Sequence, residues 1–397
     1  MFERLERMPD DPILGLMAAF RADPDTRKVD LGVGVYRNDK GETPVLDAVR
    51  KAESAVLSRQ TSKTYVAPAG NAGFNQAMEK LVFGEGHPTL KANRIRTIQA
   101  PGGCGALRVG AELIRRAYPE AVIHVSTPTW ANHVPLLTGS GIKLESYPYY
   151  EGKSGGVNFS AMMDYLDKLP KGALVLLHAS CHNPTGADLS EQQWRDILAL
   201  VQRRGLTPYI DMAYQGLGIG IAEDAFGPRL FAAELPELLV AVSCSKNFGL
   251  YRERTGALHV INQTTSGADA IITQLVRIAR TIYSMPPDHG AAIVNEILTT
   301  PALLGSWTDE VGSMRSRIDG LRRDAVARLK KAAPERDFSF IERQHGMFSF
   351  LGATKDQVRE LREKHHIYMT DDSRINIAGL KSDNIGYFAD AVAQVVK

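Results

Sequence analysis

The sequence is poor in cysteine and carries almost no net charge. Its three cysteines, Cys104, Cys181 and Cys244, form no CxxC pair, and no histidine cluster has metal-ligand spacing. We therefore expect reduced thiols and no metal. Lysine and arginine total 47 against 45 aspartates and glutamates, so the net charge of +2 indicates neither a nucleic-acid nor a membrane-surface partner. The partners that we expect are small molecules.

Long apolar segments are also lacking. No stretch approaches the ~20 apolar residues that span a bilayer, and the N-terminus MFERLERMPDDP is charged where a signal peptide is apolar. Internal repeats and low-complexity tracts are absent from the sequence. A chain of 397 residues, 44% of them apolar, can bury a large core, so we expect a two-domain cytoplasmic protein.

One pair of neighbours, Cys181 and His182, leaves a catalytic Cys–His pair as an alternative function. Adjacent residues of an extended segment point to opposite faces, and this geometry disfavours the pair.

The middle of the chain repeats one pattern: a short apolar run, a cluster of Gly, Pro, Ser or Asn, and then a helical period. This alternation is typical of a parallel α/β sheet with crossover helices. It predicts strands at residues 94–99, 121–126, 174–178, 208–210, 238–242 and 257–261. Because ligands of such sheets bind beyond the carboxyl ends of the strands, the residues after each run are the candidates for a site.

Five of these strand ends carry chemically useful groups. The first is a glycine-rich turn, PGGCG at 101–105, followed by an amphipathic helix predicted at about 106–116. The others present Trp130, Asn183, Asp211 with Tyr214, and Lys246 with Ser243, Ser245 and Arg254 nearby.

The C-terminal third has a different pattern. It predicts a long helix at about 307–331, strands at 338–341 and 348–351, a last helix at 355–365 and a further strand at 374–378. We interpret this part as an α+β layer forming a second domain, joined by the N-terminal residues up to about Thr43.

A phosphorylated aromatic cation would give each strand end a role. Backbone N–H groups at the start of a helix bind phosphate, and Gly103 lets the backbone approach closely. Arg254, Ser243 and Ser245 would add hydrogen bonds to the same phosphate. A turn built for packing and serines that only solvate a strand end remain the alternatives.

The ring of such a ligand would meet the middle strands. Asp211 would pair with a protonated pyridine nitrogen, which keeps the ring able to absorb carbanion electrons. Trp130 would lie on the ring face, and Asn183 and Tyr214 would bond a ring hydroxyl oxygen. A helix cap or salt bridge, a core tryptophan and an Asn-Pro turn are the ordinary alternatives.

Lys246 fits an ordinary structural role least well, because it directly follows an apolar run and is flanked by small residues. Burial depresses a lysine pKa, so the amine can act as a nucleophile and as a general base. These roles together indicate pyridoxal phosphate (PLP), held by Lys246 as a Schiff base.

Motifs spread over essentially the whole chain relate the sequence to a known family. They are DPIL at 11–14, GVGVY at 32–36, PGGCGALR at 101–108, HNPTG at 182–186, DMAYQG at 211–216, SCSKNF at 243–248, YRER at 251–254, YSMPP at 283–287, GMFS at 346–349 and SRIN at 373–376. With them the chain resembles the class I aminotransferases of PLP fold type I, in the aspartate and aromatic amino acid branch.

The resemblance implies a role for each site residue. Lys246, Asp211 and Tyr214 are the implied catalytic residues. Arg374 is the implied fork for the substrate α-carboxylate, a bidentate geometry that lysine cannot reproduce. Arg280 from the partner subunit is implied to bind a distal carboxylate. The implied cofactor site consists of Gly103, Cys104, Trp130, Asn183, Asp211, Tyr214, Ser243, Ser245, Lys246 and Arg254, with Tyr65 of the other subunit, and Gly34, Trp130 and Asn183 join the two arginines at the substrate.

The same resemblance implies an assembly and a domain division. The expected assembly is a homodimer with shared active sites, in which an N-terminal arm at residues 1–11 lies on the partner. We expect a small α+β domain from residues 12–43 and 313–397, and a large cofactor domain with a mostly parallel sheet from residues 44–312.

Three departures from the residues usual in this branch bear on the substrate. Cys104 stands where threonine is usual, and Met285 and Thr64 each replace an asparagine, which makes the pocket less polar. We therefore expect a ping-pong enzyme that moves the amino group of tyrosine, phenylalanine or tryptophan, and of aspartate through Arg280, to 2-oxoglutarate. An aspartate aminotransferase with only minor aromatic activity is the alternative.

Other classes of protein fit less well. A nicotinamide oxidoreductase would need G-x-G-x-x-G after a strand, and a ligand sensor would need an attached recognition module. A PLP lyase shares the cofactor and differs in needing no 2-oxo acid.

Overall fold

The computed structural model describes residues 1–7 and 12–396, so Asp11 of the first motif lies outside the described residues. The helices are α1 (Pro12–Ala22), α2 (Asp47–Arg59), α3 (Ala72–Phe83), α4 (Pro88–Lys91), α5 (Gly102–Ala117), α6 (His133–Thr138), α7 (Phe159–Leu166), α8 (Glu191–Arg204), α9 (Phe226–Glu234), α10 (Thr265–Ile282), α11 (Asp288–Thr299), α12 (Pro301–Ala332), α13 (Phe340–Arg343), α14 (Lys355–His365) and α15 (Ile385–Val395). Short 3₁₀ turns occur at Phe2–Arg4, Glu223–Ala225 and Ile377–Gly379.

The strands form one large sheet and three small ones. They are β1 (Val29–Asp30), β2 (Ile95–Pro101), β3 (Val122–Thr127), β4 (Lys143–Pro148), β5 (Tyr150–Glu151), β6 (Gly156–Val157), β7 (Leu174–His178), β8 (Thr207–Met212), β9 (Leu238–Ser243), β10 (Thr255–Ile261), β11 (Phe348–Phe350), β12 (Ile367–Tyr368) and β13 (Arg374–Asn376). The large sheet has the order β2-β10-β9-β8-β7-β3-β4.

This central sheet is mostly parallel, as the sequence predicted. The pairs β8–β9, β7–β8, β3–β7 and β3–β4 are parallel, whereas β10 runs antiparallel to both of its neighbours. Every residue of β7 and β9 is buried, because helices cover both faces of the sheet. The parallel strands therefore bring their carboxyl ends to one edge.

Helix α5 covers one face of the sheet and begins directly after β2. Its buried residues recur at helical spacing, and its close approach to the sheet depends on Gly110. A Cβ at Gly110 would overlap the hydroxyl of Tyr209, which donates to the carbonyl of Leu107 at 2.9 Å. This contact fixes the helix on β8, so that its first turn lies at the carboxyl edge of the sheet.

The C-terminal third packs around α12 and contains small two-stranded sheets. Strand β11 pairs with β13, and β12 pairs with β1 of the N-terminal region through Val29 and Ile367. The domain division at 43/44 and 312/313 stays a prediction, and its second boundary falls inside α12. In the part of the chain that the structure describes, no helix combines the length and the apolar character needed to cross a bilayer.

Some predictions about the sheet were wrong. Residues 257–261 were assigned to a parallel set, but residues 244–254 between β9 and β10 contain no crossover helix, so β10 returns antiparallel. Strand β4 was missed because it is an edge strand with exposed Lys143 and Glu145, which hide the apolar pattern.

Other predictions about elements also need correction. The strand predicted at 338–341 overlaps a short helix, α13, where Phe340 and Ile341 are buried by packing rather than by pairing. The helix predicted as the last one, α14, has the predicted bounds but is followed by α15, whose apolar residues extend around most of the helix. The helix predicted at 106–116 begins earlier, at Gly102, so the glycine-rich turn is its first turn.

Candidate active site

The carboxyl ends of the parallel strands surround a cavity of about 220 Å³. All the residues that the sequence assigned to the cofactor site of one chain line it, together with Gly34 of the expected substrate site. They are Gly34, Gly103, Cys104, Trp130, Asn183, Asp211, Tyr214, Ser243, Ser245, Lys246 and Arg254. The structure adds Leu107, Ala213 and Tyr251, which sequence reasoning missed because apolar and tyrosine side chains carry no distinguishing pattern.

Lys246 places an unpaired amine in this cavity. Its Nζ lies 5.0 Å from the centroid of the Tyr214 ring, and no hydrogen bond or ion pair to it exists within residues 1–7 and 12–396. Loss of hydration lowers the pKa of Lys246, although the charge of Asp211 partly opposes the shift. A lysine with these properties is available as a nucleophile and as a base.

Asp211 is held as a carboxylate by a buried histidine. Burial by itself would raise the pKa of Asp211, but the hydrogen bond from His133, together with the charges of His133, His178 and Lys246, outweighs burial, and the pKa is lowered. Nε2 of His133 lies 3.0 Å from Oδ2 of Asp211, and its Nδ1 lies 2.8 Å from Oγ1 of Thr129. The Thr129 hydroxyl also contacts Nε2 of His178 at 3.2 Å. Asp211 is therefore ionised at neutral pH and can pair with a cationic ring nitrogen.

The sequence predictions did not include the two histidines that lie beside Asp211. His133 and His178 are far apart in the sequence, and only the pairing of β3, β7 and β8 brings them beside Asp211. Burial lowers the pKa of His178 to about 3, so it stays neutral. No local sequence pattern signals this support, because Thr129 lies before α6 and only its side chain reaches His133, the first residue of that helix.

Asn183, Tyr214 and Arg374 form a connected polar group. Asn183 Nδ2 lies 3.4 Å from the Tyr214 hydroxyl, and Arg374 Nη1 lies 3.4 Å from Asn183 Oδ1. Burial raises the pKa of Tyr214, which keeps the hydroxyl protonated and able to donate. Amide and hydroxyl can thus bond one oxygen of a ligand from the same side.

Arg374 is oriented by neutral groups, so its charge remains available. Its Nη2 donates to the carbonyl of Gly32 at 2.8 Å, its guanidinium carbon lies 4.5 Å from the Phe348 ring centroid, and its buried Nε has no partner among the described residues. Arg374 lines a cleft of about 710 Å³ that shares Trp130 and Asn183 with the cavity. An anion entering this cleft meets a guanidinium that forms no ion pair with the described residues, although Asp371 and Asp372 also line the cleft.

The first turn of α5 forms a cradle for an anion. Its N-cap, Pro101, makes no side-chain cap bond, so the backbone N–H groups of this turn are left for a ligand. A Cβ at Gly103 would lie 3.1 Å from Cβ of Ser243, and Arg254 lies beside Gly102. Glycine, serine and arginine here form a site of phosphate size and charge.

Helix α12 supports the loops that carry Lys246 and Tyr214. Nε1 of Trp307 donates to the carbonyl of Asn247 at 2.8 Å, and its ring stacks on Phe248 at 4.6 Å. Nη1 of Arg315 donates to the carbonyl of Gly216 at 3.0 Å. Both contacts fix the backbone just after a cavity residue.

Tyr65 and Arg280 are not among the residues that line the cavity of this chain. Tyr65 is 90% exposed. Nη1 of Arg280, which is also exposed, donates to Oγ of Ser284 at 2.7 Å. The segment that carries Tyr65 meets the residues that follow α10, the helix of Arg280, where the N–H of Val66 donates to Sδ of Met285 at 3.3 Å.

The cysteines do not form a nucleophilic centre with histidine. Cys181 has φ +52°, so the extended segment expected at Cys181–His182 is wrong there. Burial raises the pKa of Cys181, and His182 instead contacts the hydroxyls of Ser126 and Thr185, each at 3.0 Å. Cys104 lines the cavity, where its Sγ accepts from Nδ2 of Asn132 at 3.7 Å.

Comparison with known proteins places these residues in a family. The model of aminotransferase class I and II matches residues 26–392. An aromatic-amino-acid aminotransferase of Pseudomonas aeruginosa is 45% identical over 394 residues, 99% of this chain and 98% of the relative. An aspartate aminotransferase of the same organism is 42% identical, with both chains covered completely. The crystal structure of an aromatic-amino-acid aminotransferase from Burkholderia pseudomallei, covalently bound to pyridoxal phosphate, has a TM-score of 0.98 at 45% identity and full coverage of both chains.

Proposed function

Because this chain belongs to the class I and II aminotransferases, we propose that it moves the amino group of aromatic amino acids to 2-oxoglutarate with PLP as its cofactor. Tyrosine, phenylalanine and tryptophan are the proposed donors, and aspartate is a further donor. The observation that carries the proposal is the unpaired Lys246 amine, which shares one cavity with ionised Asp211 and the anion cradle of α5.

The residues of the cavity fit PLP group by group. The cradle at Gly103, Ser243 and Arg254 suits its phosphate, and Asp211 suits a protonated ring nitrogen. When bound, PLP supplies an electron sink for the electrons released at the substrate Cα. The relative that is covalently bound to PLP supports this choice of cofactor.

The residues of this chain bind the substrate and transfer its protons. Arg374 binds the α-carboxylate through its fork, which orients the Cα–H bond. Nζ of Lys246, whose pKa is lowered by burial, takes the proton from Cα of the amino donor in the first half-reaction. In the second half-reaction it delivers a proton to Cα of the amino acid that forms from the 2-oxo acid. Asn183 and Tyr214 hold the ring oxygen, while Asp211 holds the proton on the ring nitrogen.

The preference for aromatic donors rests on the less polar wall. Cys104, which lines the cavity, stands where the resembled branch usually has threonine. Met285 replaces an asparagine usual in that branch and lies at Val66, outside the cavity of its own chain, and its thioether adapts to aromatic faces. The aromatic-amino-acid and aspartate aminotransferases among the relatives match the chain about equally, at 45% and 42% identity. An aspartate aminotransferase with only minor aromatic activity is therefore the second candidate.

A homodimer with shared active sites is part of the proposal, as is a cytoplasmic location. Tyr65 and Arg280 lie outside the cavity of their own chain, which supports their use by a second copy. Exposed Phe2, Leu5 and Leu57 offer apolar surface for such a contact.

The test is amino-group transfer by the purified protein loaded with PLP. Phenylalanine and 2-oxoglutarate should give phenylpyruvate and glutamate in equal amounts, with a higher kcat/KM for phenylalanine than for aspartate. Lys246→Ala should lose turnover by more than about 10⁴-fold, whereas Lys364→Ala, on an exposed helix face, should not. Product formation without 2-oxoglutarate would indicate a lyase, and a higher kcat/KM for aspartate would favour the second candidate.

A further inference from the structure

Arg322 of α12 is a buried cation whose direct partners are neutral groups, although the charges of Asp319 and Asp188 favour its charged form. Its side chain is 1% exposed, and no described carboxylate forms an ion pair with it. Burial lowers the pKa of Arg322 to about 10, so the guanidinium remains charged at neutral pH. A buried unpaired charge is costly, and this cost requires strong compensating contacts. The donors reach the carbonyl oxygens of Ile341, His345, Gly346 and Phe348 and the hydroxyl of Ser349, at 2.7–3.2 Å.

These acceptors all belong to residues 341–349, a segment that ends within β11. Phe350 of β11 pairs with Arg374 of β13, and the Phe348 ring lies 4.5 Å from the Arg374 guanidinium carbon. The same ring meets Tyr214 edge-on at 6.1 Å. The backbone that Arg322 holds therefore carries both the pairing partner and the ring neighbour of Arg374.

The same segment also contacts the loop that carries Asn183. The N–H of His345 donates to the carbonyl of Gly186 at 2.9 Å, and Gly186 has φ +70°. A Cβ at Gly186 would overlap the carbonyl oxygen of Phe348, so the two segments are in direct backbone contact. Asn183 in turn accepts from Arg374.

We propose that Arg322 is a positioning residue that fixes residues 341–349 and thereby sets the orientation of Arg374 toward the substrate α-carboxylate. This inference rests on the proposed function. Arg322 touches neither the cavity nor the cleft, so its effect is transmitted through Phe348 and β11. Arginine suits this task because its planar fork offers donors in several fixed directions, which lysine cannot do.

The inference predicts a specific kinetic pattern. Every amino acid and 2-oxo acid carries the carboxylate that Arg374 binds, so a misplaced Arg374 raises KM for phenylalanine and for aspartate by the same factor. Loss of Arg280 instead discriminates between these substrates. Lys246 is held by other contacts, so kcat should change by less than about threefold, while KM rises roughly tenfold or more.

The experiment compares Arg322→Met holoenzyme with Arg323→Met, the exposed neighbour on the same helix. Arg322→Met should show equal KM increases for both donors and a matching increase in the dissociation constant of 3-phenylpropanoate, an unreactive carboxylate, measured by calorimetry. Arg322→Lys should not restore either value. Unchanged KM values, or an increase for one donor only, would overturn the inference.

A second variant covers the outcome in which Arg322→Met does not fold. Ser349→Ala removes one acceptor of Arg322 and should raise both KM values by a smaller common factor, roughly two- to fivefold, as expected for one hydrogen bond. Normal KM values with only a lower melting temperature would show a purely structural role and overturn the inference. If the wild type transfers no amino group, the proposed function fails, whereas 3-phenylpropanoate binding still decides the role of Arg322.

Discussion

Nε2 of His133 lies 3.0 Å from Oδ2 of Asp211; both side chains are buried, and Asp211 lines the cavity whereas His133 lies behind it. The histidine lowers the pKa of Asp211 against the opposing effect of burial. The acidity of the group expected to face the ring nitrogen is thus set by a residue outside the cavity.

His133→Ala should lower kcat by roughly ten- to a hundredfold, because a hydrogen bond to a charged group contributes about 1.5–3 kcal/mol. Without His133 the pKa of Asp211 rises, so the loss of activity on acidification should begin at a higher pH. The measurement is kcat between pH 5 and 8. His124→Ala, which removes a histidine bonded to Tyr165, is the control, and an acid limb that does not move in His133→Ala would contradict the assignment.

Arg254→Ala should weaken PLP binding by about ten- to a hundredfold, since it removes charge-assisted hydrogen bonds to the phosphate worth about 1.5–3 kcal/mol. The dissociation constant is measured by equilibrium dialysis of the apoprotein. Arg252→Ala changes an exposed arginine of the same turn that does not line the cavity. Equal affinities in all three proteins would show that the phosphate binds elsewhere.

Arg280→Ala should affect dicarboxylic substrates selectively. Leaving a distal carboxylate without its partner costs about 3–5 kcal/mol, or about two to nearly four orders of magnitude in kcat/KM for aspartate, while phenylalanine turnover with an aromatic 2-oxo acid acceptor is spared. Arg277→Ala, an exposed position on the same helix, serves as the control. A parallel loss with phenylalanine would make the assignment wrong.

The same variant tests whether active sites are shared between subunits. Lys246→Ala and Arg280→Ala chains are each inactive with aspartate, but a mixed dimer would contain one site with Lys246 of one chain and Arg280 of the other. Subunit exchange should therefore restore aspartate turnover. If each active site took its lysine and its arginine from the same chain, the mixed dimer would not recover aspartate turnover.

His259 predicts how stability depends on pH away from the active site. Its Nδ1 lies 2.7 Å from the hydroxyl of Thr97, its Nε2 is buried without a partner, and burial lowers its pKa to about 3. Between pH 6.5 and 3 the unfolded chain binds more protons at this residue, so acidification lowers the free energy of unfolding by up to about 1.4 kcal/mol per pH unit.

His259→Asn should remove this contribution. Urea unfolding between pH 7.5 and 5, at fixed protein and PLP concentrations, should give a flatter dependence below pH 6.5 for the variant and equal slopes above pH 7. Identical slopes over the whole range would mean that His259 is protonated in the folded protein.

The sequence by itself determined the parts of the site that follow strand ends. Asp211 comes directly after an apolar run, and Lys246 and Asn183 each follow one within five residues. Parallel strands place such residues at one edge whatever the details of packing. Local patterns also placed six strands of the large sheet to within two residues of their bounds, because burial on both faces of such a sheet imposes continuous apolar runs. The edge strand β4 was not predicted, because its exposed polar residues interrupt the apolar run.

Only the tertiary structure decided which distant groups support these residues. His133, which follows β3, contacts Asp211 on β8, and Arg322 of α12 binds the backbone of residues 341–349. Such contacts leave no periodic pattern in the sequence. A buried histidine and a buried arginine look like ordinary helix residues until the fold removes water from around them. Their pKa values and their roles arise from that loss of water and from neighbours that sequence distance does not reveal.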